Sequence, residues 1–446
     1  MINGQCRVFA AVTSPIVDGG KYSIRRVVGQ WVNVHAQIIC DGHDVIQGAL
    51  QFKPIHETAW EEHRIWSHSE DHWSGKFKVE TQGLWEYRVA GWVDHGLTWR
   101  EGLLKKAHDG QHVKTELYDG IPILESILNM QKLSKEANTF LKNLLTQIKD
   151  DKKYDVALRS ALSNDLQHIM YTNPEKKFIS YSSSYLVYVD RKKALFSAWY
   201  EFFPRSASQE KGVHGTFKDC ELLLPRIKEF GFDVLYFPPI HPIGEMNRKG
   251  KNNATTSAPD DVGSPWAIGN KSGGHDAVIA DLGTLQDYRS LIKNAKAMDI
   301  EIAMDFALQC APDHPWVKEH PSWFKWRSDG TVQYAENPPK KYQDILPIYF
   351  ETEDWQALWN AIRDVMIYWV KEGVTIFRVD NPHTKPFVFW EWLIAEIKKE
   401  YPDILFLSEA FTRSALMYQL GKVGFTQSYT YFAWKNSKHE LIDYMT

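Results

Sequence analysis

The sequence predicts a multidomain chain: an N-terminal β-sandwich over residues 1–110, a helical hairpin insert over 111–178, and a strand–helix repeat over 179–446. Three changes of hydrophobic period predict it. Apolar and polar residues first alternate in short runs, then apolar residues recur every three or four positions, and finally apolar strands alternate with amphipathic helices. A length of 446 residues suits about three domains at roughly 150 residues each.

The sandwich rests on Val28–Cys40, Val45–Phe52 and Trp73–Val93, whose alternation is punctuated by Gly75, Gly83 and Gly91. Short strands at this spacing predict two packed antiparallel sheets. Trp60, Trp66, Trp73, Trp85, Trp92 and Trp99 fall here. Packing between sheets is the plainer reading of such rings, and stacking on sugars the minority one. In the insert, Leu124, Ile127 and Leu128, and later Leu158, Leu162, Leu166 and Ile169, mark the apolar stripe of helices, with a break at Asp150-Asp151-Lys152-Lys153.

The third part offers strands at Leu195–Phe203, Val234–Pro239, Ile300–Phe306, Val374–Val379, Ile404–Leu407 and Phe425–Tyr431, with helices at Phe217–Phe230, Leu285–Met298, Asp354–Glu372 and Phe387–Glu400. Such units predict parallel strands joined by right-handed crossovers, in either a barrel or a doubly wound sheet. Long connections at His241–Gly283 and Cys310–Glu353 interrupt the rhythm, and loops of that size commonly face ligands.

Composition narrows the function. Basic residues number 52 and acidic 56, a net charge of −4 without a long like-charge block, which argues against nucleic acid. No apolar run reaches the roughly 18 residues of a membrane span, and Met1 to Pro15 lacks the pattern of a secretory leader. Cys6, Cys40, Cys220 and Cys310 are too scattered for a zinc pair or a disulfide framework, so a reducing, cytoplasmic setting fits. His314, His320 and His383 lack metal-ligand spacing. No Walker or dinucleotide glycine motif occurs, and the Asn253-Ala254-Thr255 sequon carries no weight without a leader. Neither a cofactor nor a metal is expected.

Polar clusters follow the predicted strands: Asp305 with Gln309, then Arg378, Asp380 and Asn381, then Glu409. In a barrel that end carries the chemistry. Arg378 and Asp380 stand two apart on a strand and share a face, so the guanidinium keeps Asp380 anionic. Two carboxylates about 5–5.5 Å apart suit a retaining glycosyl transfer, one attacking the anomeric carbon and the other moving protons. A buried ion pair that merely braces the strands is an equal reading of Arg378 and Asp380 alone. His275-Asp276 suits a substrate contact or a loop brace, and Trp316, Trp323 and Trp326 suit a small core or a stacking platform.

Longer strings carry more information. Asp305-Phe306-Ala307-Leu308-Gln309-Cys310, Phe377-Arg378-Val379-Asp380-Asn381-Pro382-His383-Thr384-Lys385-Pro386, Ser408-Glu409-Ala410-Phe411-Thr412 and Gly263-Ser264-Pro265-Trp266-Ala267-Ile268-Gly269 resemble one branch of the α-amylase family of glycosidases and transglycosidases. That branch is the α-1,4-glucan:maltose-1-phosphate maltosyltransferases, which extend glucans two glucose units at a time. The resemblance implies a (β/α)8 TIM barrel with a loop subdomain at 310–353 after the third strand. It implies Asp380 as nucleophile, Glu409 as acid/base, Arg378 as the group that keeps Asp380 ionised, and Asn381 as a helper of the donor phosphate. Asn337, Lys340 and Tyr342 correspond to the family's phosphate-binding segment, and Lys249 and Gln309 to residues lining sugar subsites. On loop charge alone, Lys340 and Lys341 read as solvated. The implied partners are maltose-1-phosphate and an α-1,4-glucan acceptor, with a homodimer and neither nucleic acid nor membrane.

One part of the family pattern is not found. The third carboxylate of the α-amylase machinery follows the seventh strand, whereas Asp443 lies on a predicted helix. About six strands are counted where a closed barrel has eight. The barrel is therefore expected to be incomplete, and the protein to be truncated at its C-terminal end and inactive alone. The competing readings are an open-sheet protein of other function, an α-amylase-family hydrolase or transglycosidase without a phosphate donor, and a catalytically dead glucan-binding protein.

Overall fold

The computed structural model describes residues 3–69, 71–130 and 133–446. Met1 of the leader reading, Glu70 of the expected sandwich, and Gln131 and Lys132 of the expected insert lie outside the described residues. The protein divides into two compact units, Met1–Val189 and Asp190–Thr446.

The first unit opens with β1 (Val8–Ser14), β2 (Ile24–Val27), β3 (Trp31–Cys40), β4 (Ile46–Pro54), β5 (Glu61–Arg64), β6 (Trp66–Ser67), β7 (His72–Lys78) and β8 (Gly83–Val93). Six helices follow: α1 (His95–His108), α2 (Lys114–Asp119), α3 (Ile121–Leu128), α4 (Lys135–Ile148), α5 (Tyr154–Ala161) and α6 (Asn164–Thr172). The backbone then returns as β9 (Ser180–Tyr181) and β10 (Tyr185–Asp190). One sheet runs β1-β3-β7-β6, and the other β2-β10-β8-β4-β5 with β9 on β8. Val32, Val34 and Phe77 of the first sheet share a core with Phe52, Trp85, Tyr87 and Val187 of the second. A Cβ on Gly91 would come within 2.8 Å of Val8 and 2.9 Å of Ile38, so that glycine admits the close approach of the two sheets.

Several expectations shift here. The strands end at Val93, because Asp94 caps α1 by accepting the backbone N–H of Leu97. Trp99 is therefore helical. Among the described residues five helices, α2 to α6, stand where a hairpin is expected, and the charged break forms a 3-10 turn at Asp151–Lys153. Residues 180–189 belong to the first unit, since Val187 and Val189 fill its core. Trp73, Trp85 and Trp92 are buried, whereas Trp66 is exposed.

The second unit contains β11 (Trp199–Glu201), α7 (Phe217–Glu229), β12 (Val234–Phe237), α8 (Leu285–Ala297) and β13 (Glu301–Phe306). A long excursion follows, with β14 (Gln309–Cys310), α9 (Pro315–Glu319), β15 (Ala335–Asn337), β16 (Lys340–Tyr342) and β17 (Leu346–Pro347). The rhythm resumes with α10 (Trp355–Lys371), β18 (Ile376–Asp380), α11 (Phe387–Glu400), β19 (Leu405–Glu409), α12 (Ser414–Lys422), β20 (Gln427–Ser428) and α13 (Lys438–Met445). The sheet runs β11-β12-β13-β18-β19-β20, in sequence order, each strand parallel to the next. The end strands are shorter than their apolar runs, since each pairs on one side only and β11 is closed off by the 3-10 turn at Pro204. Thr216 with Asp219 and Thr284 with Asp287 form capping boxes that start α7 and α8. Among the described residues no helix is long and apolar enough to cross a membrane.

Alternation along β18 divides its labour. Phe377 and Val379 point one way and Arg378 and Asp380 the other. The buried Phe377 ring lies 5.9 Å from Phe306 and 6.2 Å from Phe406. It thereby ties β13, β18 and β19 together behind the polar face. Phe377→Ala should lower stability by about 3–5 kcal/mol, measured by urea denaturation. A loss under about 1 kcal/mol would show that the strands are held without this ring.

Candidate active site

The C-terminal ends of β13, β18 and β19 bring Asp305, Arg378, Asp380 and Glu409 together. Parallel pairing sets Asp305 beside Arg378 and Asp380 beside Glu409, with backbones about 4.8 Å apart across each pair. Arg378 Nη1 donates to Asp305 Oδ2 at 2.7 Å and to Asp380 Oδ1 at 2.9 Å. Its Nη2 stands 3.5 Å from Glu409 Oε1. One guanidinium thus spans all three carboxyl groups. Tyr236 of β12 donates its hydroxyl to Asp305 Oδ2 at 2.6 Å, and its ring and that of Tyr429 each lie 5.8 Å from the guanidinium.

The turn after β18 closes this cluster. Asn381 adopts a left-handed backbone at φ 43°, ψ 52°, a region asparagine tolerates better than most residues. Its backbone N–H then donates to Glu409 Oε2 at 3.1 Å, and its side-chain amide reaches Asp380 Oδ2 at 3.4 Å. Burial pushes the Glu409 carboxyl above its ordinary range, against the pull of Arg378 and the Asn381 amide. Burial also pushes Asp305 up to about 7, although Arg378 opposes it. A carboxylate gripped by a guanidinium next to a carboxyl whose pKa burial raises can attack an electrophilic carbon while its neighbour moves a proton.

A second cluster lies among the buried histidines. His275, Cys310 and His314 each bring a ligand atom within 4.8 Å of the others. Sequence spacing gives no sign of it, because His275 and His314 are 39 residues apart. Proton bookkeeping argues against a metal there. The N–H of Trp316 donates to His314 Nδ1 at 3.0 Å, which assigns the ring proton of neutral His314 to Nε2. That proton goes to His275 Nδ1 at 3.1 Å, and His275 Nε2 donates to the Ala307 carbonyl at 2.9 Å. A metal on His314 Nε2 would need a proton on Nδ1, where a backbone N–H already points. Burial pushes the pKa of His275 down to about 4 and that of His314 to about 2. The cluster is a neutral brace behind Ala307, with His275 as the loop-bracing residue. Nearby, Trp323 is buried under His320, Trp316 stacks on His275, and Trp326 is exposed.

Against this geometry the comparisons with known proteins are specific. A family model described as "Alpha-1,4-glucan:maltose-1-phosphate maltosyltransferase, domain N/S" matches residues 6–191. A Chlorobaculum tepidum protein named alpha-1,4-glucan:maltose-1-phosphate maltosyltransferase is 50% identical over 445 residues, covering 100% of this chain and 66% of the relative. A Cereibacter sphaeroides protein of the same name is 44% identical over 430 residues, covering 96% of this chain and 72% of the relative. The protein belongs to the alpha-1,4-glucan:maltose-1-phosphate maltosyltransferase family. It spans about two thirds of the length of the curated relatives it matches, 66% of the Chlorobaculum and Methylacidiphilum infernorum proteins. Among solved structures, a maltogenic alpha-amylase from Thermotoga neapolitana matches with a TM-score of 0.45 and 28% identity, over 56% of this chain and 55% of its own.

The other residues marked by the maltosyltransferase resemblance make no bond to Asp380 or Glu409 among the described residues. Gln309, on β14, donates to the Trp266 carbonyl at 3.3 Å. Lys249 lines a cavity of about 890 Å³ with Phe203, His214 and Trp266. Asn337 and Lys340 face each other across the β15–β16 hairpin, and Tyr342 pairs with Ala335. Asn337 and Lys340 are exposed and Tyr342 partly so. No hydrogen bond or ion pair among the described residues joins Lys249, Asn337, Lys340 or Tyr342 to Asp380 or Glu409. Asn247, two residues before Lys249, donates to the Gln343 carbonyl just after the hairpin at 3.3 Å.

Asp305 makes stability depend on pH. Its pKa rises from an ordinary 3.8 to about 7 on folding. Between those values the folded protein holds a proton that the unfolded one has lost, so stability falls as pH rises through the window. Asp305→Asn should flatten that slope in urea melts recorded from about pH 4.5 to 7.5. An identical slope in both proteins would contradict the assignment.

Proposed function

We propose that this protein holds the catalytic pair of an enzyme that transfers maltosyl units from α-maltose-1-phosphate to the non-reducing end of α-1,4-glucans. One observation carries the proposal: Asp380 and Glu409 pair in register at adjacent strand ends with Arg378 between them. The names of the family's members supply the donor and acceptor. The barrel, the cytoplasmic setting and the homodimer implied by the resemblance belong to the same proposal.

The reaction proceeds by two displacements. Asp380 Oδ attacks the anomeric carbon while the bond to the phosphate oxygen breaks and phosphate leaves with the electron pair. The product is a covalent β-maltosyl ester. Glu409 then takes the proton of the acceptor's 4-hydroxyl, that oxygen attacks the same carbon, and Asp380 departs as a carboxylate. Two inversions give net retention. Arg378 Nη1, bonded to Asp380 Oδ1 at 2.9 Å, holds that carboxylate in place throughout.

Phosphate leaves readily without a proton, so Glu409 contributes less to the first step than to the second. Its ionised form is the one the second step needs, and Arg378 and the Asn381 N–H both favour that form against burial. Asn337, Lys340 and Tyr342 on the β15–β16 hairpin are assigned to the donor phosphate, and Lys249 and Gln309 to the sugar hydroxyls. Lysine ammonium and neutral donors suit a phosphate dianion.

In the complete enzyme, incubation of Glu409→Ala with maltose-1-phosphate should add the mass of one maltosyl group to the protein, and Asp380→Ala should add nothing. Equal labelling of both variants would sink the assignment of roles. Lys340→Ala should raise KM for maltose-1-phosphate by about tenfold or more, the scale of one charge-assisted hydrogen bond, and leave α-maltosyl fluoride unaffected. Equal losses on both donors would make Lys340 structural. Release of inorganic phosphate from maltose-1-phosphate plus glucan separates this reading from a glycosidase without a phosphate donor and from a dead binding protein.

A further inference from the structure

Tyr236 of β12 is buried, with its ring 6.2 Å from Trp199 on one neighbouring strand and its hydroxyl on Asp305 of the other. A buried phenol needs a partner for its O–H, and packing alone is the plain reading of such a residue. The oxygen it bonds carries the reading further. Asp305 Oδ2 accepts both the Tyr236 hydroxyl at 2.6 Å and Arg378 Nη1 at 2.7 Å, and the same Nη1 donates to Asp380 Oδ1 at 2.9 Å. Tyr236, Asp305, Arg378 and Asp380 thus form one chain of hydrogen bonds from β12 to β18.

Asp305 Oδ1 is buried and has no hydrogen-bond partner among the described residues, and the Trp266 indole faces this carboxyl group without closing a bond. Both anchors of Asp305 therefore fall on one oxygen. The Tyr236 ring also lies 5.8 Å from the Arg378 guanidinium. One side chain thus bears on the fork twice, through its ring and through the carboxyl group that receives Nη1. Burial, and then the charge of Asp305, raise the Tyr236 phenol far above its ordinary range, so it stays a donor at every working pH. A constant donor favours the ionised form of Asp305, which burial disfavours.

We propose that Tyr236 is a positioning residue for the transfer: its hydroxyl, through Asp305 Oδ2, fixes the Arg378 Nη1 that orients Asp380. Without the hydroxyl, Asp305 keeps its proton to higher pH, and Oδ1 is the oxygen free to carry it. Nη1 then loses one of its two charged acceptors, and Asp380 is held by a fork that can turn. Asp305 is faced by Arg378 and Asp380 of β18, Tyr236 of β12 and Tyr429 after β20, with Glu409 of β19 beyond the guanidinium and Glu201 of β11 beyond Tyr429. Tyr236→Phe removes one hydroxyl from this set and leaves every charge in place. The inference rests on the reading of Asp380 as nucleophile, and its test separates the two.

The test compares wild type, Tyr236→Phe and Tyr236→Phe/Asp305→Asn in the complete enzyme. In urea melts from about pH 5 to about pH 9, the fall in stability caused by Asp305 should extend to higher pH in Tyr236→Phe than in wild type, and should be missing from the double variant. In steady-state assays Tyr236→Phe should lower kcat about tenfold, the scale of one buried hydrogen bond. KM should be unchanged, and maltose-1-phosphate and α-maltosyl fluoride should be affected alike. The deficit should widen from about pH 6 to about pH 8, where Asp305 ionises in wild type and stays protonated in Tyr236→Phe. A stability profile or a kcat equal to wild type overturns the proposal. So does a deficit of one size at every pH, which packing alone would give, or a raised KM at unchanged kcat, which would make Tyr236 a substrate contact. If wild type moves no maltosyl group from either donor, the nucleophile reading falls, and the urea melts still decide whether Tyr236 governs Asp305.

Discussion

The site depends on a single guanidinium. Arg378 is buried at the end of β18 and touches carboxyl groups from three successive strands. A buried cation is costly to desolvate, and three clustered carboxylates are costly to keep apart. Each problem is reduced by the other. Removing Arg378 would leave Asp305, Asp380 and Glu409 clustered without the cation that joins them. Strand order therefore matters chemically: β13, β18 and β19 must be adjacent and parallel for one fork to reach all three.

Backbone geometry refines that arrangement. The left-handed Asn381 turns its N–H onto Glu409, so the residue after Asp380 also holds Glu409. Behind the strands, Phe306, Phe377 and Phe406 fix the spacing that the polar face uses. The neutral histidine brace beside Ala307 steadies the connection that leaves β13. Together they fix where the side chains of the polar face stand.

Much of the site was legible because its residues sit at strand ends. Asp380 and Glu409 each follow an apolar run, and Arg378 stands two residues before Asp380. Strand alternation and parallel order then place them on one face without further information. The six strands of the second unit's parallel sheet were readable for the same reason, apart from the short end strands. The insert was less so: its apolar stripe identified helices but not their number, since short helices broken by capping residues share the period of long ones. The His275–Cys310–His314 cluster was invisible in sequence, being assembled by two long loops. The β15–β16 hairpin shows the converse, with Asn337, Lys340 and Tyr342 marked by resemblance but not tied by bonds to the carboxylates.

The central claim is that Asp380 and Glu409, ordered by Arg378, act in two displacements at one carbon. The most direct measurement is the anomeric configuration of the bond formed when the complete enzyme joins α-maltose-1-phosphate to a short α-1,4-glucan, followed by proton NMR at early times. An α linkage, formed in step with one phosphate released per transfer, is the required result. A β linkage would mean a single inverting displacement, and would contradict the assignment of Asp380 as a nucleophile that becomes covalently bound.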